Sequence, residues 1–372
     1  KGVSCKCQLW NCTKIHSNNY RCEKMISNVA SDRLYKQIVD RLTDAYHDIH
    51  TSGNLIDGPY CRSAEEKLKF ITKRKHAKIT TSATIALMVA LIAWNIRNKK
   101  VACANYGYVA SANQAALLND IEFFDVDQKG LLNIETQFSQ DLVIPVSLYG
   151  NSIDYDTLKT GPDTRVIVDA AQSLGTKYKG RPDGSFGDAA IFSFARNKPV
   201  PTAGTHGAIV WDDDSMTDKI LSASMNGKLS RNGGIVSYGV NATPFELQAA
   251  QIDIGLDHMG EWQVKRKQIH KYYSEQFKNL PVKIIEANAD CESNYHKFAM
   301  LVDKRDQLSE YLNENNITAL LHYTDNFANF FGSGKFPNTD MLCSKIITLP
   351  NHAWLTDAEI ETVSQKVKNF YQ

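Results

Sequence analysis

The chain lacks an apolar run long enough to cross a bilayer. The longest, 83–94 (ATIALMVALIAW), falls short of the ~20 residues a spanning helix needs and reads as a buried helix. It also lacks a dominant charge. Lys and Arg number 42 and Asp and Glu 41, a formal net charge of +1, which supplies neither a basic field for nucleic acid nor an acidic tail. No signal-peptide pattern opens it, and no internal repeat or low-complexity linker interrupts it. Paired CxxC knuckles are missing as well: Cys5, Cys7, Cys12 and Cys22 cluster near the start, while Cys61, Cys103, Cys291 and Cys343 are scattered. Scattered cysteines suit reduced, buried thiols. These absences lead to the expectation of a soluble, cytoplasmic protein with no nucleic-acid or membrane partner and no metal site in its body. A zinc site on the four early cysteines is a weaker alternative, because their spacing is not that of a zinc knuckle.

The 372 residues, 43% of them apolar, suffice for two linked subdomains. The chain opens at Lys1, and Met25 stands just before a clean helical pattern, so residues 1–27 read as a leader or extension outside the core. Apolar residues Leu34, Ile38, Leu42 and Tyr46 then recur at helical spacing over 32–49, followed by a turn-rich stretch at 51–60. Helices and short apolar strands alternate from there. Strands are expected near Val101, at 121–124, at 142–147 and at 165–168, and helices at 83–94, at 110–118 and from near Asp154. This alternation predicts a mostly parallel sheet covered by helices on both faces. AIFSF and GAIVW read as further strands, and a long helix is expected over 244–278. The remainder predicts a smaller α+β domain with strands at 298–302 and 319–322 and helices at 306–313 and from Asp357. The expected division is a large domain over 28–258 and a small one over 259–372.

Three features could carry chemistry. Asp169, in VIVDAAQSLG, ends a buried strand, where open α/β sheets bind ligands. A carboxylate there needs a partner, and a protonated pyridine nitrogen would suit; the plainer reading is a helix N-cap. Lys198 lies in a constrained loop, FARNKPVPTAGTHG, after a strand. A partly desolvated lysine there would have a lowered pKa and could form a Schiff base, although most single loop lysines are simply solvated. Thr80-Thr81-Ser82-Ala83-Thr84 precedes the apolar helix at once. Hydroxyls and free N–H groups at a helix start can cradle a phosphate, or merely cap the helix.

Order and context decide what these features cannot decide singly. From about residue 32 to 371 the chain resembles the DegT-type sugar aminotransferases, among the fold-type-I enzymes that use pyridoxal 5′-phosphate (PLP). The blocks SGNLIDGPY, TTSATIAL, ANYGYVASAN, IPVSLYGNSIDYDTL, VDAAQSLGTKYKGRPDGSFGDAAIFSF, YGVNATPFELQAAQ, YHKFAMLVDKRDQL, ITALLHY and IITLPNHAWLTDAEI stand in the family's order. The resemblance implies a large PLP-binding domain with a mostly parallel seven-stranded sheet and a smaller α+β domain. It makes Lys198 the Schiff-base lysine and Asp169 the partner of the pyridine nitrogen. Gln172 falls near the cofactor's phenolic oxygen and Tyr108 over its ring. Ala83 and Thr84 fall on the phosphate-binding backbone, with Ser193 supplying a hydroxyl to the same group. Asn241 falls on a residue that reaches into a neighbouring subunit's site, which implies a homodimer with shared active sites. His322 and Tyr323 match a segment near the substrate, while His296 reads as structural. The implied reaction takes an amino group from glutamate to a keto-sugar nucleotide, in amino-sugar or polysaccharide biosynthesis.

The sequence departs from that pattern in places. Ser-Ala-Thr replaces the commoner Ser-Gly-Thr, Gly204-Thr205-His206-Gly207 replaces a Gly-Glu-Gly-Gly turn, Ala195-Arg196-Asn197 precedes the lysine, and Ala242 and Thr243 follow Asn241 where an arginine is common. Other readings are transfer to a cyclitol, a sugar dehydratase, or a PLP-binding regulator without catalysis. The dehydratases carry histidine where Lys198 stands, which favours transamination.

Overall fold

The computed structural model describes residues 25–372. The early cysteines, and with them the zinc alternative, lie outside the described residues. After α1 (Ser31–Ser52) and α2 (Pro59–Thr72), the chain lays down β1 (His76–Thr80), α3 (Ala83–Ala93), β2 (Lys100–Ala104), α4 (Ala110–Ala116), β3 (Asp120–Phe124), β4 (Leu142–Ile144) and β5 (Arg165–Asp169). A short pair, β6 (Lys177–Tyr178) and β7 (Arg181–Pro182), precedes β8 (Ala189–Ser193), β9 (Gly207–Trp211) and α5 (Thr217–Ser224). The seven-stranded sheet has the order β1-β9-β8-β5-β4-β2-β3. Its strands from β3 to β8 run parallel, and β9 runs antiparallel to both β8 and β1.

Period-two alternation sorts the side chains of this sheet between two cores. Ile167, Ala189, Ile191, Ile209 and Trp211 face α3 and α5. Their neighbours Val168, Ala190, Phe192, Ala208 and Val210 face α1, α2 and the long helix α6 (Glu246–Phe277). Strands buried on both faces explain why AIFSF and GAIVW read as unbroken apolar runs. The same burial explains α3, which is apolar nearly all round.

The helix α6 begins against the main sheet and ends, at Ile269, Tyr273 and Phe277, in a separate core. That core is built on β10 (Val282–Ile284), β12 (Phe298–Val302) and β13 (Ile346–Leu349), with α7 (Arg305–Glu314) and α10 (Asp357–Phe370). A two-residue strand, β11 (Cys291–Glu292), pairs with β6. The short helices α8 (Ala328–Phe331) and α9 (Pro337–Lys345) complete the chain. A Thr356–Glu359 capping box starts α10.

Two expected elements do not form. Residues near Asp154 make only a turn, where the Asp154 side chain accepts the Asp156 N–H at 3.0 Å and also the Tyr178 hydroxyl, a local bond that competes with helix formation. Residues 319–322 form a single bridge, Leu320 to Thr348; the His322 carbonyl faces tyrosine hydroxyls instead of a strand. No described helix is long and apolar enough to cross a membrane.

Candidate active site

The parallel strands deliver their carboxyl ends to one edge of the sheet, where ligands bind in open α/β folds. Asp169 closes β5 and Ser193 closes β8. The turn after β1 feeds α3 at the same edge, and β9, being antiparallel, starts there. A cavity of about 270 Å³ opens at this place. Ala83, Thr84, Tyr108, Asp169 and Gln172 line it, together with Ser193, Lys198, His322 and Tyr323. The structure therefore gathers every site residue singled out from the sequence except Asn241. That residue is exposed on a separate segment, bridged to Met225, and does not line the cavity of its own chain.

Asp169 is held from two sides. Its Oδ1 accepts the Ala171 N–H at 3.0 Å, and its Oδ2 accepts from the Ser111 hydroxyl. The residues after it form turns, so the helix N-cap reading does not hold. Lys198 is half-buried and lines the cavity from the loop after β8. Burial lowers its amine to about 8, against a smaller opposing pull from Asp169. A lysine so placed has free amine available near neutral pH and can exchange a proton.

The opposite wall is the start of α3. Ser82 caps it by accepting the Ile85 N–H at 3.1 Å, and helix geometry leaves the Ala83 and Thr84 N–H groups without intrahelical acceptors. Gly207 lies directly against this turn: a Cβ there would stand 2.2 Å from the Ala83 nitrogen. Capping and anion binding, alternatives in the sequence, are thus both available to one turn.

Gln172 and a tyrosine cluster fix the third side. Gln172 Oε1 accepts the Tyr149 N–H at 3.0 Å and its Nε2 donates to the Tyr323 hydroxyl at 3.1 Å. The Tyr106 hydroxyl lies 2.7 Å from that of Tyr149 and accepts the Tyr323 N–H at 2.9 Å. Burial, with smaller contributions from Lys297 and Lys198, lowers His322 to about 3, so its ring is neutral; its Nδ1 lies 2.8 Å from the Thr348 hydroxyl. Tyr108 is 57% exposed and tilts against Tyr323 with ring centroids 6.2 Å apart, at the mouth of the cavity. His296 is buried and does not line this cavity. Among the described residues, no group of His, Cys, Asp or Glu is arranged to hold a metal ion.

Sequence reasoning missed Ser111, Asn197 and Thr205, which also line the cavity. Ser111 stands near the start of α4 and reaches Asp169, 58 positions away, a contact its local sequence does not signal.

The profile of the DegT/DnrJ/EryC1/StrS aminotransferase family matches residues 36–368. The chain belongs to that family. It is accordingly a PLP-dependent aminotransferase, and the residues around the cavity fit the cofactor: an amine, an acid at the strand end and a hydroxyl-rich helix start face one space. Among similar proteins, the "Pleiotropic regulatory protein" of Geobacillus stearothermophilus is 24% identical, with 91% of this chain and 96% of the relative covered. The UDP-2-acetamido-2-deoxy-3-oxo-D-glucuronate aminotransferase of Pseudomonas aeruginosa is 26% identical, with 90% and 97% covered. The UDP-4-amino-4,6-dideoxy-N-acetyl-beta-L-altrosamine transaminase of Campylobacter jejuni is 28% identical, with 90% and 96% covered. Solved structures share the fold. A DegT DnrJ EryC1 StrS aminotransferase from Brucella abortus superposes with a TM-score of 0.85 at 24% identity over 92% of this chain and 98% of its own. DesV of S. venezuelae gives 0.87 at 22% identity over 94% and 99%.

Proposed function

We propose that this family member transfers an amino group from an amino acid, glutamate, to a keto-sugar carried on a nucleotide, and that it works in amino-sugar biosynthesis as a cytoplasmic homodimer. The observation that carries the reading is the placement of Lys198: an amine lowered to about 8 lies in one cavity with the strand-end acid Asp169 and the α3 N-terminus. The UDP-sugars named for the Pseudomonas and Campylobacter relatives support a nucleotide-sugar acceptor.

PLP, when bound, supplies the carbonyl that takes up the amino group and the ring that accepts electrons from the reacting carbon. The chain's own residues do the rest. Asp169, held in place by the Ser111 hydroxyl and the Ala171 N–H, would pair with the pyridine nitrogen and hold a proton on it. The Ala83 and Thr84 N–H groups and the Ser193 hydroxyl would bind the phosphate. Gln172, oriented by Tyr149 and Tyr323, would donate to the phenolic oxygen, and Tyr108 would cover the ring. Lys198 would carry the proton at its Nζ in both half-reactions, which makes one residue responsible for donor and acceptor steps alike. His322 and Tyr323 stand where an acceptor would enter. In this division residues 28–258 hold the cofactor and residues 259–372 form the small domain.

The dimer reading is supported by Ile235, Val236 and Tyr238, which are 76%, 62% and 77% exposed on the segment leading to Asn241. A second copy would cover them and bring Asn241 to the partner's cavity. The testing experiment incubates the yellow holoprotein with glutamate and a panel of nucleotide-linked keto-sugars. Mass spectrometry should find one sugar converted to its amine. Loss of the visible band with glutamate but no product on any nucleotide-sugar would move the acceptor to a cyclitol. Cofactor binding with no spectral change on adding amino acids would contradict transamination and favour a regulator.

A further inference from the structure

Behind Lys198 lies a second, smaller chamber of about 30 Å³, which shares Lys198 and Asn197 with the main cavity. Its walls carry four basic side chains, the exposed Arg196, the half-buried Lys198 and the buried Arg266 and Lys297, and no Asp or Glu among the described residues. Arg266 is 3% exposed and Lys297 9%. The guanidinium spends its Nε on the Asn294 carbonyl and its Nη1 on the Pro199 carbonyl, and leaves Nη2 without a partner. No hydrogen bond or ion pair reaches the Lys297 amine among the described residues. The two histidines of the wall do not supply charge. His352 is engaged at both ring nitrogens, by the Ser27 carbonyl and the Trp354 N–H, and burial holds it and His296 well below the usual histidine range. Burial, then Lys198 and Arg266, lower Lys297 itself to about 7.

Buried cations that face each other without an acid are costly, and an anion between them relieves the cost. The size of the chamber decides which anion. At about 30 Å³ it is far smaller than the main cavity of about 270 Å³, which suits a small anionic group such as a carboxylate better than a diphosphate or a sugar ring. Its position decides which carboxylate. The reacting carbon must stand at Lys198 in the main cavity, with the α-carboxylate one bond away. The chamber adjoins the main cavity at Asn197 and Lys198, so a donor group held between Arg266 and Lys297 would lie farther along the donor than the α-carboxylate.

We propose that Arg266 and Lys297 bind the distal carboxylate of a dicarboxylic amino donor, and that this chamber selects glutamate-like donors over monocarboxylic ones. The inference rests on the aminotransferase reading and names a specificity site for its first half-reaction. Lys297→Met keeps the length of the side chain and removes its charge, with Lys297→Gln as a second neutral variant should the first melt early. Calorimetry with glutarate, which has no amine to transfer, reads the chamber in the holoprotein directly. Glutarate should bind the wild type and bind the neutral variants about tenfold or more weakly, with Lys297→Arg recovering most of the loss. In the half-reaction followed by the cofactor's visible band, the preference for L-glutamate over L-alanine should fall by a similar factor. Unchanged glutarate binding in the neutral variants, no binding to the wild type, or equal losses for glutamate and alanine would each overturn the proposal. If no amino acid moves the band in the wild type, the aminotransferase reading fails, and the glutarate titration still decides whether the chamber is a carboxylate site.

Discussion

Lys78 and Lys198 are two lysines drawn into the same half of the sheet, and their surroundings make them opposites. Lys78, in β1, is 7% exposed and clamped by Asp57 at 2.5 Å and Glu65 at 3.2 Å. Burial pulls its pKa down, but the two acids outweigh burial and leave it raised. Lys198 has burial as its main influence and only the weaker pull of Asp169 against it, so it falls to about 8. The first is a charge committed to structure; the second is an amine left available for chemistry. The difference lies in how many carboxylates the fold brings within reach, which neither residue's local sequence reveals.

The largest contrast should come from deleting each amine. Lys198→Ala should lower both half-reactions by at least about a thousandfold and remove the covalent cofactor band while the protein stays folded. Stopped-flow absorbance reads both, and survival of either half-reaction would break the assignment. Asp169→Asn should follow, with a loss on the order of a hundredfold in turnover at full cofactor loading. Lys78→Met should behave in the opposite way. It strands Asp57 and Glu65, and denaturant unfolding should show a loss of about 3 kcal/mol, with activity per folded molecule kept. Gly207→Ala should push the first turn of α3 away from its seat, since the added Cβ meets the Ala83 nitrogen at 2.2 Å. Cofactor titration should show weakening of roughly tenfold with a smaller change in stability.

The smallest effect is on pH dependence and has opposite signs for the two lysines. The folded-state value of Lys198 lies below its usual 10.5, so the unfolded chain holds the extra proton between about pH 8 and 10.5. Its contribution to the cofactor-free protein is unfavourable below pH 8 and fades as pH rises through that window. Lys78 is raised, so its stabilising contribution is complete below the usual 10.5 and is lost as pH rises through the higher folded value. Unfolding of Lys198→Met beside the wild type should show a stability gap that narrows from pH 8 to 10. A gap that stays flat would mean that Lys198 is solvated.

Much of this is legible in the sequence. The strand at Phe298–Val302 and the start of α10 at Asp357 fall where apolar runs and the capping box place them. Asp169, Ser193 and Lys198 could be placed because strand ends are where open sheets bind ligands. The helix Pro59–Thr72 was hidden, because Gly58 and Pro59 read as a turn when the proline in fact opens the helix and its buried face is made of small residues such as Cys61 and Ala64. Residues near Asp154 read as helical because the sequence does not show that the Asp154 carboxylate is taken up by the Asp156 N–H and the distant Tyr178 hydroxyl. Lys297 was illegible for another reason: its isolation from acids depends on what α6 and the loop before β9 bring to it, not on its neighbours in the chain.

Lys198 and Lys297 both have lowered pKa values and both line the small chamber, and only Lys198 is expected to carry the cofactor. Borohydride reduction of the holoprotein followed by peptide mass spectrometry tests that assignment most directly. The phosphopyridoxyl mass should appear on the peptide that contains Lys198, and the peptide with Lys297 should remain unlabelled. Label on Lys297, or on neither, would contradict it.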